Sequence, residues 1–233
     1  MKYKQTAMRW VIYLVGMIVL AVGLTLNTKT GLGVSAILSV SFAVSEIWDL
    51  NFGDITLILY ALLVVIQILL HVLCRKTLGE RKLGAVLLLD ILQFPLSLGF
   101  TRIINLVSAL VPVLSEAYAG RFLGSFVGRA LFLLLAVVLT GIGAAMTLNM
   151  RIVPNPADGI VQTLADATGK KVGFTKNWFD LLNVCMNLVM GFVCTGGIVG
   201  VGLGTIVAAL GTGRVIAIFN RLFKEKMCRL CGL

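Results

Sequence analysis

Charge is scarce in this 233-residue chain. Only 13% of its residues are Asp, Glu, Lys or Arg, about half the share in an ordinary soluble domain. That deficit, with 59% apolar residues, excludes a soluble globular protein, a disordered chain and a disulfide-rich secreted module. Five cysteines (Cys74, Cys185, Cys194, Cys228 and Cys231) are an odd number, two of them inside apolar runs, and they give no disulfide framework. Chemistry-bearing signatures are missing as well. The chain has one histidine and lacks the Gly-x-x-x-x-Gly-Lys-Ser/Thr phosphate loop, the His-Glu-x-x-His zinc pair and the Gly-x-Ser-x-Gly nucleophile turn. It reads as a non-enzyme, with neither metal nor cofactor expected.

What is present is long apolar runs. A membrane helix needs about 20 mostly apolar residues, and six stretches qualify: 9–27, 54–74, 83–100, 127–148, 177–195 and 200–219. The first lacks a small-residue cleavage site, so it is expected to be a membrane helix rather than a signal peptide. Two apolar pieces, 34–47 and 157–168, are too short to cross and read as re-entrant or interfacial. A further amphipathic stretch, 103–116, contains Pro112. The net charge of +10 points to a membrane topology rather than to nucleic acid, because the bases sit between apolar runs. With six crossings and both ends inside, about 15 Lys and Arg fall on the cytoplasmic side and about 4 outside. The cytoplasmic set includes Arg75, Lys76, Arg81 and Lys82. If both short pieces crossed too, the split would fall to about 13 against 6.

The two halves resemble each other. Arg9 to Gly23 aligns with Arg129 to Gly143, Asn27 falls opposite Asn149, Phe52-Gly53 opposite Phe174-Thr175, and Leu83-Gly84 opposite Leu203-Gly204. Three crossings per half is odd, so the second half is expected upside down. The chain therefore reads as an all-α polytopic membrane protein with two inverted repeats of three transmembrane helices, each repeat carrying a short re-entrant or broken helix. Residues 1–233 form one membrane domain: repeat 1 over 9–100, a connecting segment 101–126, repeat 2 over 127–220 and a basic cytoplasmic tail 221–233. Inverted repeats with matching interrupted segments point to a site near the midplane.

Gly31-Leu32-Gly33-Val34-Ser35 and Asn155-Pro156-Ala157-Asp158-Gly159, together with Gly173-Phe174-Thr175 and Val201-Gly202-Leu203-Gly204-Thr205, carry a resemblance. The pattern looks like the YczE/YyaS/YitT family of bacterial membrane proteins over nearly the whole chain. It departs from that pattern at Ser35, where the first-half loop lacks a carboxylate. The resemblance implies a multi-pass membrane protein and says little about substrate.

Ionisable and amide side chains inside apolar runs are the candidate site, because they are costly in lipid and face a cavity or a partner. Asp90 and Gln93 share a helix face, where they either glue helices together or bind an ion or solute. Asp180, Asn183 and Asn187 form one polar stripe, read as lining a cavity. Asn155 caps a short helix opened by Pro156, and Asp158 lies in its first turn. Ser35 holds the matching place in the first half, and Thr212 is a further hydrogen-bonding candidate. Arg214 either snorkels to the interface or serves as counter-ion to Asp90, Asp158 or an anionic solute. His71 reads as interfacial, with proton coupling as the alternative.

These residues suggest a gradient-driven transporter or facilitator of a small polar solute or ion in a bacterial cytoplasmic (inner) membrane, both termini cytoplasmic. The alternative is a non-transporting scaffold or regulator that binds a partner or anionic lipid through its basic cytoplasmic face. The lipid bilayer is the common partner, no nucleic acid is expected, and glycine-rich helix faces would allow a homodimer.

Overall fold

A computed structural model describes residues 2–74 and 83–232. The basic cluster Arg75, Lys76, Arg81 and Lys82 lies outside the described residues. The helices are α1 (Lys2–Lys29), α2 (Ser39–Trp48, preceded by a 3-10 turn at Ala36–Leu38), α3 (Phe52–Leu73), α4 (Leu83–Leu110), α5 (Leu114–Ala117), α6 (Phe126–Met150), α7 (Pro156–Thr168), α8 (Val172–Thr195) and α9 (Leu203–Cys231). Among the described residues, six helices (α1, α3, α4, α6, α8 and α9) are long and apolar enough to cross a membrane. They match the six stretches expected from hydropathy. Many of their large apolar side chains, such as Leu62, Leu69, Leu134 and Val189, are exposed, as lipid-facing residues are.

Two boundaries differ from expectation. The stretch 103–116 is not a separate amphipathic segment, because α4 runs unbroken to Leu110. It stops just before Pro112, which has no N–H to continue the ladder. Residues 221–231 are likewise not a loose tail. They extend α9 to Cys231, and Met227 and Cys231 are buried. The helix ends at Gly232 in the left-handed conformation, φ 69°, as a glycine cap does.

The chain forms two compact units. The first comprises Met1–Ser35, Ile103–Ile152 and Gly200–Leu233, built on α1, α6 and α9. Helix α1 runs antiparallel to α6: the Arg9 guanidinium donates to Met150 O at 2.6 Å and Arg151 O at 2.7 Å, closing the carbonyl end of α6. Further along, a Cβ on Gly23 would lie 2.5 Å from Thr140 N, and one on Gly143 2.4 Å from Leu20 N. Only glycine lets the two backbones approach this closely. Helix α9 lies parallel to α6, with Gly211 against Val137, Gly141 against Val215, and Asn149 donating to Asn220 at 2.6 Å. Leu32 to Val34 runs beside the start of α9, where Gly204 N donates to Leu32 O and Val34 N donates to Gly200 O. Gly33, at φ 132°, leaves room for Thr205 there.

The second unit comprises Ala36–Arg102 and Val153–Val199. Helices α3 and α4 are antiparallel, joined by the stacked rings of Tyr60 and Phe100 and by the ion pair of Asp54 with Arg102. Short helix α7 packs on α3 and α8, and short helix α2 on α8 and α3.

Element ends recur at one offset. Helix α3 opens at Phe52 and α8 at Val172, while α4 opens at Leu83 and α9 at Leu203. The left-handed residues Gly31 and Asp49 have counterparts in Arg151 and Gly169. These four pairs share an offset of 120 residues, whereas matching by letter drifts by up to three. Phe52 falls opposite Val172 rather than Phe174. Ser35 falls opposite Asn155, and Leu38 opposite Asp158.

Candidate functional site

The second unit holds a continuous, largely buried polar chain on the long helices α3 and α4 and the short helix α7. Asp90, on α4, is 3% exposed, and its Oδ2 lies 2.6 Å from Nδ1 of His71 on α3. Its Oδ1 accepts from Nε2 of Gln93, one turn along α4, at 3.3 Å. Gln93 and Gln67 then exchange two amide hydrogen bonds across the α3–α4 seam, at 3.0 and 3.2 Å. Gln67 also donates to the carbonyl of Pro156, the first residue of α7, at 3.2 Å. On the far side of the ring, His71 Nε2 lies 3.2 Å from the hydroxyl of Thr163 on α7. That hydroxyl is also 3.0 Å from Gly159 O. Gly159 permits the close packing, since a Cβ there would lie 2.5 Å from Gln67 Oε1.

The local sequence explains why these groups converge. Gln67 and His71 are four residues apart on α3, Asp90 and Gln93 three apart on α4, and Gly159 and Thr163 four apart on α7, so each pair shares a helix face. In a hydrocarbon setting each amide must find a protein partner, and the reciprocal Gln67–Gln93 pair supplies it. The order carboxylate–imidazole–hydroxyl is that of a nucleophile relay. Here Thr163 is 4% exposed and its proton is shared with a backbone carbonyl.

A second group lies at the start of α7. Asn155 caps the helix by accepting from Ala157 N at 3.1 Å, as Pro156 at the first position favours, and its side chain lies close to the phenol of Tyr60. Lys176 on α8 places its ammonium 3.8 Å from Asp158 and 4.0 Å from Asp180. Two carboxylates therefore share one cation. Asp180 Oδ1 and Asn187 Oδ1 are buried acceptors without a hydrogen-bond partner among the described residues. Asn187 donates to Ser39 O, at the start of α2, at 2.6 Å, while Asn183 donates within its own helix to Phe179 O.

The candidates thus sort into groups. Asp90 and Gln93 come together with Gln67, His71 and Thr163. Asn155, Asp158 and Asp180 come together with Tyr60 and Lys176, and Asn183 and Asn187 continue along α8. Ser35, Thr212 and Arg214 belong to the first unit, where Arg214 is exposed. The partner of Asp90 is His71, and that of Asp158 is Lys176. Sequence reasoning did not single out Gln67, Thr163, Tyr60 or Lys176. The available signal for Gln67 was its spacing of four from His71, on a helix next in sequence to that of Asp90 and Gln93.

Comparison with known proteins adds the family. The chain is 24% identical over 214 residues to the uncharacterized membrane protein YczE of Bacillus subtilis (strain 168), covering 91% of this chain and 86% of that one. This agrees with the resemblance carried by the glycine loops. No solved structure matches. The family of unknown function DUF6198 matches residues 7–221, and the chain, a multi-pass helical membrane protein, belongs to it.

Proposed function

We propose that this protein is a gradient-driven transporter or facilitator of a small polar solute in a bacterial cytoplasmic membrane, with both termini cytoplasmic and no enzymatic step. The observation that carries the reading is Asp90: a carboxylate 3% exposed on an apolar helix, held by His71 and Gln93 rather than buried alone. Such a group is costly in a bilayer, and where it persists it marks an ion or solute path.

The helix geometry supports a midplane site. Helix α7 has 13 residues and is about 20 Å long. It starts beside Tyr60, partway along α3, and returns toward the end where α8 begins. Its N-terminus then lies roughly midway through a hydrocarbon core of about 30 Å. In this reading α7 and α2 are re-entrant helices of two inverted repeats, each docked on a long helix of the other repeat. Asn155, Asp158, Asp180, Lys176 and Tyr60 would hold the solute there. The orphan acceptors on Asp180 and Asn187 favour a solute that brings hydrogen-bond donors.

The test is reconstitution in liposomes with a panel of labelled amino acids, sugars and inorganic ions. At least one should accumulate, and Asp90→Asn and Asp180→Asn should each slow it at least tenfold. Uptake equal to wild type in both variants would overturn the site.

A second reading draws on one observation. Arg221, Lys224, Lys226 and Arg229 are all exposed on the last turns of α9, a basic surface suited to anionic lipid headgroups. If the protein is a scaffold, reversing these four charges abolishes its role, while the intramembrane Asp→Asn changes leave it intact.

A further inference from the structure

The polar chain in the second unit contains more than a transporter needs to hold solute, and its donors and acceptors are arranged in a particular order. Asp90 receives an imidazole nitrogen at one oxygen and an amide N–H at the other. Gln67 Oε1 and Gln93 Oε1 each receive an N–H as well. A hard cation is held by several converging oxygens. Here each carboxylate and amide oxygen already faces nitrogen.

The group left to exchange something is the ring of His71. Its Nδ1–H is engaged by Asp90, and in the neutral ring this leaves Nε2 bare. Thr163 stands 3.2 Å from Nε2 and 3.0 Å from Gly159 O, and it has one proton to donate between them. With Nε2 bare, the Thr163 hydroxyl donates to the ring and leaves Gly159 O to its helical N–H alone. With a proton on Nε2, the ring donates to the Thr163 oxygen, and the hydroxyl proton turns to Gly159 O. One proton from bulk water is gained or lost and nothing else is consumed.

We infer that the ion taken by this protein is a proton, carried on His71 Nε2, and that its arrival reverses the hydrogen bond by which Thr163 latches short helix α7 to α3. This rests on the transporter reading only where it names the coupling ion. The latch itself is a property of the second unit. From α4, the titratable group facing the ring is Asp90. From α7 the facing group is the neutral Thr163, with Asp158 held by Lys176 and Asp166 bonded to Gln162 on the exposed side. On α8 the charges are Lys176 and Asp180, and on α2 Glu46 is exposed. Arg75, Lys76, Glu80, Arg81 and Lys82 follow α3 outside the described residues.

Because the chain has one histidine, 15N-histidine labelling of the full-length protein in phosphatidylethanolamine–phosphatidylglycerol vesicles reports His71 alone. In its neutral form the ring should carry its proton on Nδ1 with Nε2 bare, and in its protonated form on both nitrogens. Asp90→Asn should release the fixed tautomer. Thr163→Val should leave Nδ1 as it was and shift Nε2, and Thr163→Ser should restore the Nε2 signal. A neutral ring protonated on Nε2, or a spectrum indifferent to both substitutions, overturns the proposal.

In the same vesicles loaded with a pH-sensitive dye, proton entry coupled to solute should fall at least tenfold in His71→Gln and in Thr163→Val. Solute uptake that follows an imposed sodium gradient and ignores the proton gradient overturns the coupling ion and leaves the transporter standing. A ring that behaves as described with no flux of any solute supports the latch and removes the transporter.

Discussion

Replacing Gly143 with alanine tests the close approach of α1 and α6. The added Cβ would lie 2.4 Å from Leu20 N, 2.7 Å from Leu20 Cα and 2.8 Å from Gly16 O. All three are backbone atoms, so no side chain can swing away and the helices must part by about 1 Å to restore contact near 3.5 Å. A gap of that size forfeits up to half of a well of about 0.1–0.2 kcal/mol per atom pair. If the crossing holds as many pairs as one buried leucine, about 40–60, the loss is about 2–6 kcal/mol. Overpacked sites relax, and typical costs of about 1–3 kcal/mol favour the lower end, near 2 kcal/mol.

For a chain of this size that lowers Tm by about 4–8 °C, readable by thermal unfolding in detergent. The 120-residue offset sharpens the test. Gly23 meets Ala136 and Thr140, and its counterpart Gly143 meets Gly16 and Leu20, the positions 120 earlier. Gly23→Ala should therefore cost about the same as Gly143→Ala. The double variant should cost less than the sum, because the first separation accommodates the second. Gly213, with nothing within 4 Å of its Cβ position, is the control, and alanine there should be neutral or gain up to about 1 kcal/mol. If Gly143→Ala behaves like Gly213→Ala, the packing argument fails.

Other perturbations have definite expected outcomes. Arg9→Lys keeps the charge but cannot make both bonds to the carbonyls closing α6, and should cost about 1.5 kcal/mol by the same melts. Lys176→Met leaves Asp158 and Asp180 without their shared cation and should reduce solute uptake at least tenfold. Lys170→Met, whose ammonium lies 5.0 Å over the Phe174 ring, should leave it unchanged. Deleting 221–233 should lower Tm, since Cys231 packs at 3.5 Å on Met150. Charge reversal of the same segment should not, so the two together separate packing from lipid binding.

Much of this was legible in the sequence because a membrane makes length and apolarity decisive. The six long runs, the two short pieces and the rare Asp90 and Asp180 stand out against lipid-compatible neighbours. Register between helices was not legible, because Leu, Val and Ile carry no pairing information. The partnership of His71 with Asp90 spans a loop, and a histidine near a helix end reads as interfacial until its neighbour is placed. A hairpin argument would have reached it: His71 with Asp90, Gln67 with Gln93 and Tyr60 with Phe100 all fold about nearly the same midpoint. Lys176 looked like one more cytoplasmic base, because a charge count ignores which way a long side chain reaches. The helical continuation of α9 was not legible, because Arg221, Lys224, Lys226 and Arg229 mark a solvated segment by composition. Meanwhile Met227 and Cys231, four apart, bury one face.

Several helix starts and left-handed residues recur 120 residues apart, and comparing positions at that offset sets the polar chain against its surroundings. Gln67 donates to the first residue of α7, and its counterpart Asn187 donates to the first residue of α2. An amide from a long helix thus meets the first residue of a short one twice, although the acceptors Pro156 and Ser39 lie 117 rather than 120 residues apart. The remaining polar chain has no such echo. Opposite His71 stands Gly191, opposite Asp90 Leu210, opposite Gln93 Gly213, and opposite Thr163 Ala43. The ion pair of His71 with Asp90 therefore has no equivalent at the 120-residue offset. His71, Asp90, Gln93 and Thr163 come together once, despite the cost of burying charge in lipid. The proton-operated latch proposed above would give that cost a function, and it is the reading that the single histidine makes testable.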